Sequence, residues 1–383
     1  MFAIHGWIGM QLGLLLFLVL FTGTLATLAH EIDWLVTPAL RVPPTAERAP
    51  WAQVIAAALA ARADVQPLYL TAGAGPRFAD TLVVRTAAGE LRRIFVDPYA
   101  ARVTGEAAWL SVQRFLQDFH RWLFVPRAGI YLVTILAVPL LMSMITALVF
   151  YRRWWRGFFR LRRDHGPRVF WSDLHRLTGA WSLWFVLVIG VTGVWYLAER
   201  LASDAGHRVL DTPTATPPVE RDGLAQYGPF LPASDFVRLE AATQDAFPDF
   251  SIRGVIFPQR PNDPIVFVGQ ARAWLVRDRA NRVALHPRTA EVLALQRAET
   301  LPALHYWLHM ADPLHFGDFG GIASKLVWFV FGLGLSGMVL TGAYLCGMRA
   351  MTAADPARAQ RAKRYAQQPA GDPLNIATVD ARE

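Results

Sequence analysis

The sequence predicts a membrane α-helical protein with four transmembrane helices in a duplicated two-span arrangement and two extracytoplasmic α+β modules. Three observations predict this fold. Four apolar stretches reach the roughly 20 residues that a spanning helix needs, a basic loop separates two of them, and His, Gly and Thr recur at matched spacings. The composition agrees, because 54% of the 383 residues are hydrophobic and 18% are charged, whereas soluble domains have about 25% charged residues.

The four spans are predicted within residues 1–29, where the apolar run begins at residue 7, and at 128–150, 176–198 and 322–346. The first could be a secretory signal. It has no basic leading segment, however, and its apolar core exceeds the roughly 7–15 residues of such a signal, so we expect it to stay in the membrane. The tail at 347–383 has no apolar periodicity and is predicted to be disordered.

The loop at 151–175 predicts the orientation. Its stretch "YRRWWRGFFRLRRDHGPR" holds seven Arg and one Asp, and positive charge on a short loop marks the cytoplasmic side. Both termini are then cytoplasmic, and the segments 30–127 and 199–321 are extracytoplasmic. Because this loop holds much of the basic charge behind the net charge of +8, we expect no nucleic-acid partner. A lipid or nucleic-acid role for the loop itself is the minor alternative.

Each outer segment is predicted to be a small α+β module. In the first, "WAQVIAAALAARA" is expected to be helical, "TLVVRT" and "LRRIFVD" to be strands, and "DPYAARVTGE" to be a turn. In the second, the helix is "ASDFVRLEAATQDAF", the strands are "FSIRGVIF", "PIVFVG" and "AWLVRD", and the closing turn is "LHPRTAEVL".

The chain repeats itself at fixed spacings between His and Thr. The His and Thr of the first and third spans are 17 residues apart. The His before the second and fourth spans and the Thr within each of these spans are 26 residues apart. The residues are His5 and Thr22 with His175 and Thr192, and His120 and Thr146 with His315 and Thr341. Equivalent spans of the two copies run in the same direction, so the repeat is parallel. One His pair then lies near the cytoplasmic face and the other near the outer face.

These paired histidines are the candidate cofactor ligands. Ionisable side chains in spans are rare and usually mark a functional pathway. A single interfacial His commonly only anchors a helix, but two equivalent imidazoles at one depth can bind a haem iron from opposite sides. The haem iron is therefore predicted to be bound by His5 with His175 and by His120 with His315. Inherited helix packing is the alternative explanation of the matched spacing.

Other histidines compete for these roles. His30 lies at the outer end of the first span and His309 lies six residues before His315, so both are candidate cofactor-binding residues. His305 and His309 are four residues apart, share a helix face, and also resemble a divalent-metal site. Surface roles are expected for the histidines of the loop and outer modules, which are His165, His207 and His286.

Cysteine usage restricts the cofactors. Cys346 is the single cysteine, which excludes an intramolecular disulfide and a Cys-ligated iron–sulfur cluster. The sequence has no C-x-x-C-H motif, so a haem would be held non-covalently.

Four motifs together resemble the PepSY-associated transmembrane family. They are the opening His-x-x-x-Gly span that ends in Thr-Gly, the "RRWWR" loop, the "DPYAARVTGE" turn, and "DPLHFGDFGG" before the last span. The resemblance covers residues 1–350 and is strongest to the inner-membrane siderophore reductases of the ferrioxamine type. The second module departs from the family pattern, since "LHPRTAEVL" stands where an acidic turn is expected.

The resemblance implies PepSY-like outer modules and a haem b protein, here with two haems, that passes electrons to a ferric siderophore in the periplasm. Fe(III) is reduced to Fe(II) and released. By this resemblance His5, His175, His120 and His315 match recurrent motif positions, and His30 and His309 match by location. It identifies no catalytic or substrate-binding residue.

The electron donor and two alternative functions remain open from the sequence. No G-x-G-x-x-G motif follows a predicted strand, so the expected donor is a membrane quinol or a separate redox protein. The alternatives are a non-enzymatic PepSY-type sensory or interaction module, and a haem conduit that serves a different periplasmic acceptor.

Overall fold

A computed structural model describes residues 2–45, 47–62, 64–207, 233–260 and 262–353. The helices are α1 (Phe2–Gln11), α2 (Gly13–Thr27), α3 (Ala29–Val36), α4 (Trp51–Ala60), α5 (Val112–Trp122), α6 (Ala128–Ile135), α7 (Ala137–Phe150), α8 (Pro167–Trp181), α9 (Leu183–Asp204), α10 (Ala233–Ala246), α11 (Ala303–Phe316) and α12 (Gly321–Ala353). The strands are β1 (Val65–Thr71), β2 (Asp80–Thr86), β3 (Leu91–Asp97), β4 (Arg102–Ala108), β5 (Ser251–Ile256), β6 (Ile265–Gln270), β7 (Asn281–Leu285) and β8 (Val292–Gln296). Most of the tail predicted to be disordered lies outside the described residues.

Within the described residues, three helical stretches are long and apolar enough to cross a membrane, or four if the bent pair α1–α2 counts as one span. The three are Ala128–Phe150, Leu183–Asp204 and Gly321–Arg349. Their outer surfaces are apolar and uncovered, as is that of α2, where Leu14 is 84% exposed. So large an apolar surface would be unfavourable in water, and it fits a lipid environment.

Two of the predicted spans differ from the structure. The first was expected to be one helix over 7–29, but α1 and α2 meet at 70°. Gly9 and Gly13 flank this break, and glycine weakens a helix where it occurs. The third was expected over 176–198, but its apolar helix, α9, begins after a break at Ser182. The preceding α8 carries an ion pair between Asp173 and Arg176, which suits the polar end of a span.

The two predicted outer modules are halves of one antiparallel sheet with the strand order β4-β3-β2-β1-β5-β6-β7-β8. The halves join where β1 pairs with β5, with Leu70 opposite Val255. The helices α4 and α10 pack against each other and on one face of the sheet. Trp51, Phe236 and Phe267 belong to this one core, so the two halves are stabilised by the same buried apolar surface.

The opposite face of the sheet packs toward the helix bundle. In β3, Ile94 and Val96 face the α4–α10 core, and Phe95 between them packs with Leu40 and Val42. Successive side chains of a strand point to opposite faces. The continuous apolar run in this strand therefore reflects a sheet that is covered on both sides.

The strand predictions were correct only in part. "AWLVRD" is irregular rather than a strand, and Leu275 within it has a positive φ of 62°. The predicted closing turn contains the start of β8, and β7 was not predicted. The turn predicted at 97–106 includes most of β4, an edge strand with few buried side chains. β1 was also missed, because it alternates weakly and contains Pro67.

A carboxylate links the two halves at the start of α4. Glu240 on α10 accepts hydrogen bonds from the backbone N–H groups of Trp51 (3.1 Å) and Ala52 (2.9 Å). The helix has no side-chain cap of its own. We expect Glu240→Ala to lower the free energy of unfolding by about 1–3 kcal/mol, because two N–H groups lose an anionic partner. Thermal unfolding of the full chain measures this. An equal loss in Glu90→Ala, on an exposed turn, would contradict it.

Candidate haem-ligand histidine pairs

The inner pair joins the first helix to the helix that follows the basic loop. His5 on α1 and His175 on α8 have ring centroids 6.3 Å apart, with an angle of 79° between the rings. The ring of Phe150, at the end of α7, lies 5.6 Å from that of His5. Pro167 starts α8, where its missing N–H costs nothing.

The outer pair joins the two short helices α5 and α11. They connect the sheet to the membrane helices Ala128–Phe150 and Gly321–Arg349. His120 on α5 and His315 on α11 have ring centroids 6.1 Å apart, with an angle of 35° between the rings. Local signals fix the two helices. Ser111 caps the start of α5 by accepting a hydrogen bond from the backbone of Arg114 (3.1 Å). Gly317 ends α11 with a φ of 70°, a conformation that favours glycine.

Both separations suit one metal ion between two imidazoles. A ring nitrogen lies about 2.0 Å from a transition metal that it ligates, so the centroids of two opposed imidazoles are expected about 6 Å apart. The measured values are 6.3 Å and 6.1 Å. The residues present therefore fit a bis-imidazole haem at each pair.

The hydrogen bonds of His5 and His120 fix which nitrogen is free. Nδ1 of His5 lies 3.1 Å from the carbonyl oxygen of Ser143, and Nδ1 of His120 lies 3.0 Å from that of Val19. A carbonyl can only accept. Nδ1 of each ring is therefore the donor, and the lone pair of Nε2 remains free to bind a metal.

His175 and His315 reach the same state through hydroxyl groups. Nδ1 of His175 lies 3.0 Å from Oγ1 of Thr341, and Nδ1 of His315 lies 2.7 Å from Oγ1 of Thr192. Both hydroxyls already donate to backbone carbonyls of their own helices. They accept from the rings, and such a partner is typical of a metal-ligating histidine.

The four threonines of the sequence repeat thus have a structural role that spacing did not reveal. Thr22 and Thr146 donate to the carbonyls of Val19 (3.1 Å) and Ser143 (3.0 Å), the same carbonyls that accept from His120 and His5. The 17-residue and 26-residue spacings marked equivalent positions, not contacts. His5 and His175 bond to helices α7 and α12, whereas His120 and His315 bond to helices α2 and α9. Only the folded chain displays these connections.

A comparison with protein families identifies the family of the chain. The family model of the PepSY-associated TM region matches residues 2–349. The chain belongs to this family. All four paired histidines lie within the matched region.

One relative of the PepSY-associated chain is the uncharacterized protein PA4219 of Pseudomonas aeruginosa. The two are 40% identical over 78 residues, which is 20% of this chain and 20% of that protein. The match thus spans about one fifth of the relative's length, and its printed name states no activity.

His30 and His309, the two other candidates, lie outside both pairs. Nε2 of His30 lies 2.8 Å from the side-chain amide of Gln113, so this nitrogen has a hydrogen-bond partner. His309 is 3% exposed, and its Nδ1 accepts a hydrogen bond from Arg277 (3.0 Å). Burial, reinforced by this guanidinium, lowers the pKa of His309 to about 4. Each of the two rings thus has a hydrogen-bond partner outside the pairs.

The divalent-metal alternative for His305 and His309 has no further ligands in the part of the chain that the structure describes. No group of three or more His, Cys, Asp or Glu side chains there is arranged to hold a metal ion.

A polar network connects the outer pair to the sheet. The ring of Tyr196 lies 5.2 Å from that of His315, and its hydroxyl donates to Asp312 (2.9 Å). Arg277 donates to the other oxygen of Asp312 (2.7 Å) and also contacts His309. Sequence reasoning did not identify Tyr196 or Arg277, because they come from distant segments.

A cavity of about 210 Å³ lies between the sheet and helices α3 and α5. Its polar lining includes Arg93, which pairs with Asp33 (2.8 Å), and Arg114, which pairs with Asp118 (3.1 Å). The guanidinium of Arg114 also lies 4.6 Å from the ring centroid of Trp109. His30, Tyr69 and Gln113 complete its polar and aromatic surface.

Proposed function

We propose that this protein is an inner-membrane haem b reductase that passes electrons across the membrane to a ferric siderophore in the periplasm. The observation that carries the proposal is the presence of two histidine pairs, in each of which two imidazole rings face each other. In each pair the rings are separated by the distance expected for one shared metal, and each Nδ1 has an acceptor. The membrane helices and the family membership support a membrane-bound setting.

A bound haem would supply reversible one-electron chemistry at iron. A siderophore holds Fe(III) far more tightly than Fe(II), because its hard anionic oxygens favour the higher charge. One electron therefore converts the chelated Fe(III) to Fe(II) and loosens the complex. A membrane quinol that gives up two electrons and two protons would reduce two ferric chelates. The chain's own residues hold the ligands, fix their tautomers and position the acceptor.

The two pairs are close enough along the chain to form one electron route. His5 is 14 residues from Val19, whose carbonyl orients His120, and this corresponds to about 21 Å along a straight helix. The 70° bend between α1 and α2 shortens the direct distance. This route does not need His30, which lies farther along the chain.

The proposed orientation follows from the arginine-rich loop. With 151–175 inside, the inner pair lies at the cytoplasmic end, the outer pair and the sheet lie toward the periplasm, and both termini are cytoplasmic. The bent pair α1–α2 then serves as the first of four spans, and the two halves of the chain are copies of one two-span unit. The near-identical ring separations of the two pairs support the duplication.

The cavity beside α5 is the proposed acceptor site. Arg114 lies six residues before His120 on the same helix, or about 9 Å along its axis. The carboxylates of Asp33 and Asp118 balance the two arginines of the cavity. It therefore offers hydrogen bonds and an aromatic face without net charge, which suits a neutral hydroxamate chelate better than a triply anionic catecholate. A cavity of about 210 Å³ would hold one face of the chelate.

The test begins with purified full-length protein from cells supplied with haem precursor. The expected result is a bis-imidazole b-type absorption spectrum. Proteoliposomes with quinol as donor should then reduce external ferric trihydroxamate, measured as trapped Fe(II). A colourless protein would overturn the haem assignment. A coloured protein that reduces another acceptor but no ferric chelate would favour the conduit alternative.

Gly23 lies against the outer pair and provides a local test. A Cβ at this position would lie 2.6 Å from Cε1 and 2.9 Å from Nδ1 of His120, so the ring must move from its bond with Val19. We expect Gly23→Ala to weaken haem binding about 10–100-fold, as for loss of an orienting partner. Gly337→Ala, on α12, is the matched control, since nothing lies within 4 Å of its Cβ. Haem retained per chain is the measurement, and equal retention in both variants would contradict the expectation.

A further inference from the structure

The inner end of the molecule has a second cavity that the proposed redox route does not use. It has a volume of about 220 Å³ and lies between the segment that follows α7 and the helix α8. Five arginines line it, together with Tyr151 and Asp173, and we call it the arginine cavity. The arginines are Arg153, Arg156, Arg160, Arg162 and Arg176.

Its one carboxylate is already used. Asp173 is 3% exposed and accepts hydrogen bonds from Nε (2.8 Å) and Nη2 (3.0 Å) of Arg162. It also accepts one from Arg176. This triad, of which only Asp173 is buried, fixes two of the arginines against α8. Because one carboxylate balances two guanidinium groups, the triad itself retains positive charge.

The other three arginines have no carboxylate partner among the described residues. Arg153, Arg156 and Arg160 are exposed side chains around the rim of the cavity. Like charges held this close repel each other unless an anion lies between them. Several guanidinium groups that converge on one space match the oxygens of a phosphate group.

The surroundings of the cavity indicate where that phosphate comes from. The apolar helix α7 ends at Phe150, one residue before Tyr151. Two large apolar side chains beside the arginines are turned outward, since Trp155 is 56% exposed and Phe159 is 85% exposed. Exposed aromatic side chains at the end of a span are typical of the membrane interface. Basic pockets at this level recognise lipid headgroups.

We propose that the arginine cavity binds the phosphate of an anionic phospholipid. The guanidinium groups hold the phosphate, and Trp155 and Phe159 contact the beginning of the acyl chains. A soluble phosphoester would use the arginines but would leave these two aromatic side chains in water. The site is independent of haem, although Arg176 directly follows His175 in the sequence.

The experiment compares lipid binding to two double variants of the full chain by native mass spectrometry. Arg156→Gln with Arg160→Gln removes two rim arginines of the cavity. Arg152→Gln with Arg163→Gln removes the same charge from exposed loop positions outside it. The unchanged protein should prefer phosphatidylglycerol to phosphatidylcholine. We expect the first variant to lose roughly tenfold or more of this preference and the second to keep it.

Three outcomes would overturn the proposal. One is the absence of any preference for phosphatidylglycerol in the unchanged protein. The second is an equal loss in both double variants, which would indicate a general charge effect. The third is binding of soluble glycerol phosphate as tight as that of the lipid, which would assign the cavity to a water-soluble ligand. Thermal unfolding of each variant checks that the fold is kept.

Discussion

Replacing both His5 and His175 with Ala is expected to lower the haem content of the purified protein from about two per chain to about one. The expectation follows from two separate imidazole pairs, of which this change removes the inner one. The pyridine haemochrome assay with a parallel protein determination measures the ratio. In proteoliposomes, electron transfer from quinol to external ferric chelate should fall by more than about 100-fold. A loss of up to about 100-fold is expected when only a hydrogen-bond partner of a metal ligand is removed, and here both ligands are removed.

Reduction of ferric chelate by the remaining outer haem distinguishes loss of the inner haem from general misfolding. If the inner variant still folds, a reductant added from the outside should still reduce the remaining haem, and that protein should still reduce ferric chelate. A double variant of His165 and His207 to Ala is the matched control, because both are exposed and lie outside the pairs. Unchanged haem content in the inner variant, or an equal loss in the control, would contradict the assignment of His5 and His175.

Replacing both His120 and His315 with Ala is expected to have the complementary effect. The haem content should again fall to about one per chain, since the inner pair remains intact. The donor should still reduce that haem, but reduction of the ferric chelate should be lost, because the outer pair is the one beside the sheet. Stopped-flow absorbance for the donor reaction and Fe(II) trapping for the acceptor reaction measure the two halves separately.

A milder change at the same place separates ligation from packing. Thr192→Val keeps the shape of the side chain but removes the hydroxyl that accepts from Nδ1 of His315 (2.7 Å). We expect a 10–100-fold weaker retention of the outer haem. Thr27→Val is the control, since its hydroxyl bonds only to its own helix.

If the His120 and His315 variant still reduces ferric chelate at the full rate, the proposed direction of electron flow is wrong.

The sequence was sufficient to identify the parts of this protein that local composition encodes. Long apolar runs predicted membrane helices, three of which the structure contains with a fourth as a bent pair. The helical periodicity of 51–63 and 233–247 likewise predicted α4 and α10. These features are visible in one sequence because each is a property of neighbouring residues. The motifs also led to the PepSY-associated family, whose model matches residues 2–349.

Other features were hidden because they depend on contacts between distant segments. The pairing of β1 with β5 joins strands that are separated by about half the chain, and nothing in either strand specifies its partner. β4 is a polar edge strand that resembles a turn in the sequence. In the folded chain α1 packs against α7 and α12, contacts that the apolar run of the first span does not specify.

The sequence by itself determined that four histidines recur at equal spacings from threonines, and this pattern predicted the pairing of His5 with His175 and of His120 with His315. Only the tertiary structure brought the rings of the two pairs to centroid separations of 6.3 Å and 6.1 Å, and decided that Ser143, Val19, Thr341 and Thr192 orient them. The physical reason is that an imidazole becomes a defined metal ligand only when another segment accepts the proton on its second nitrogen. That segment is brought there by helix packing, not by position along the chain.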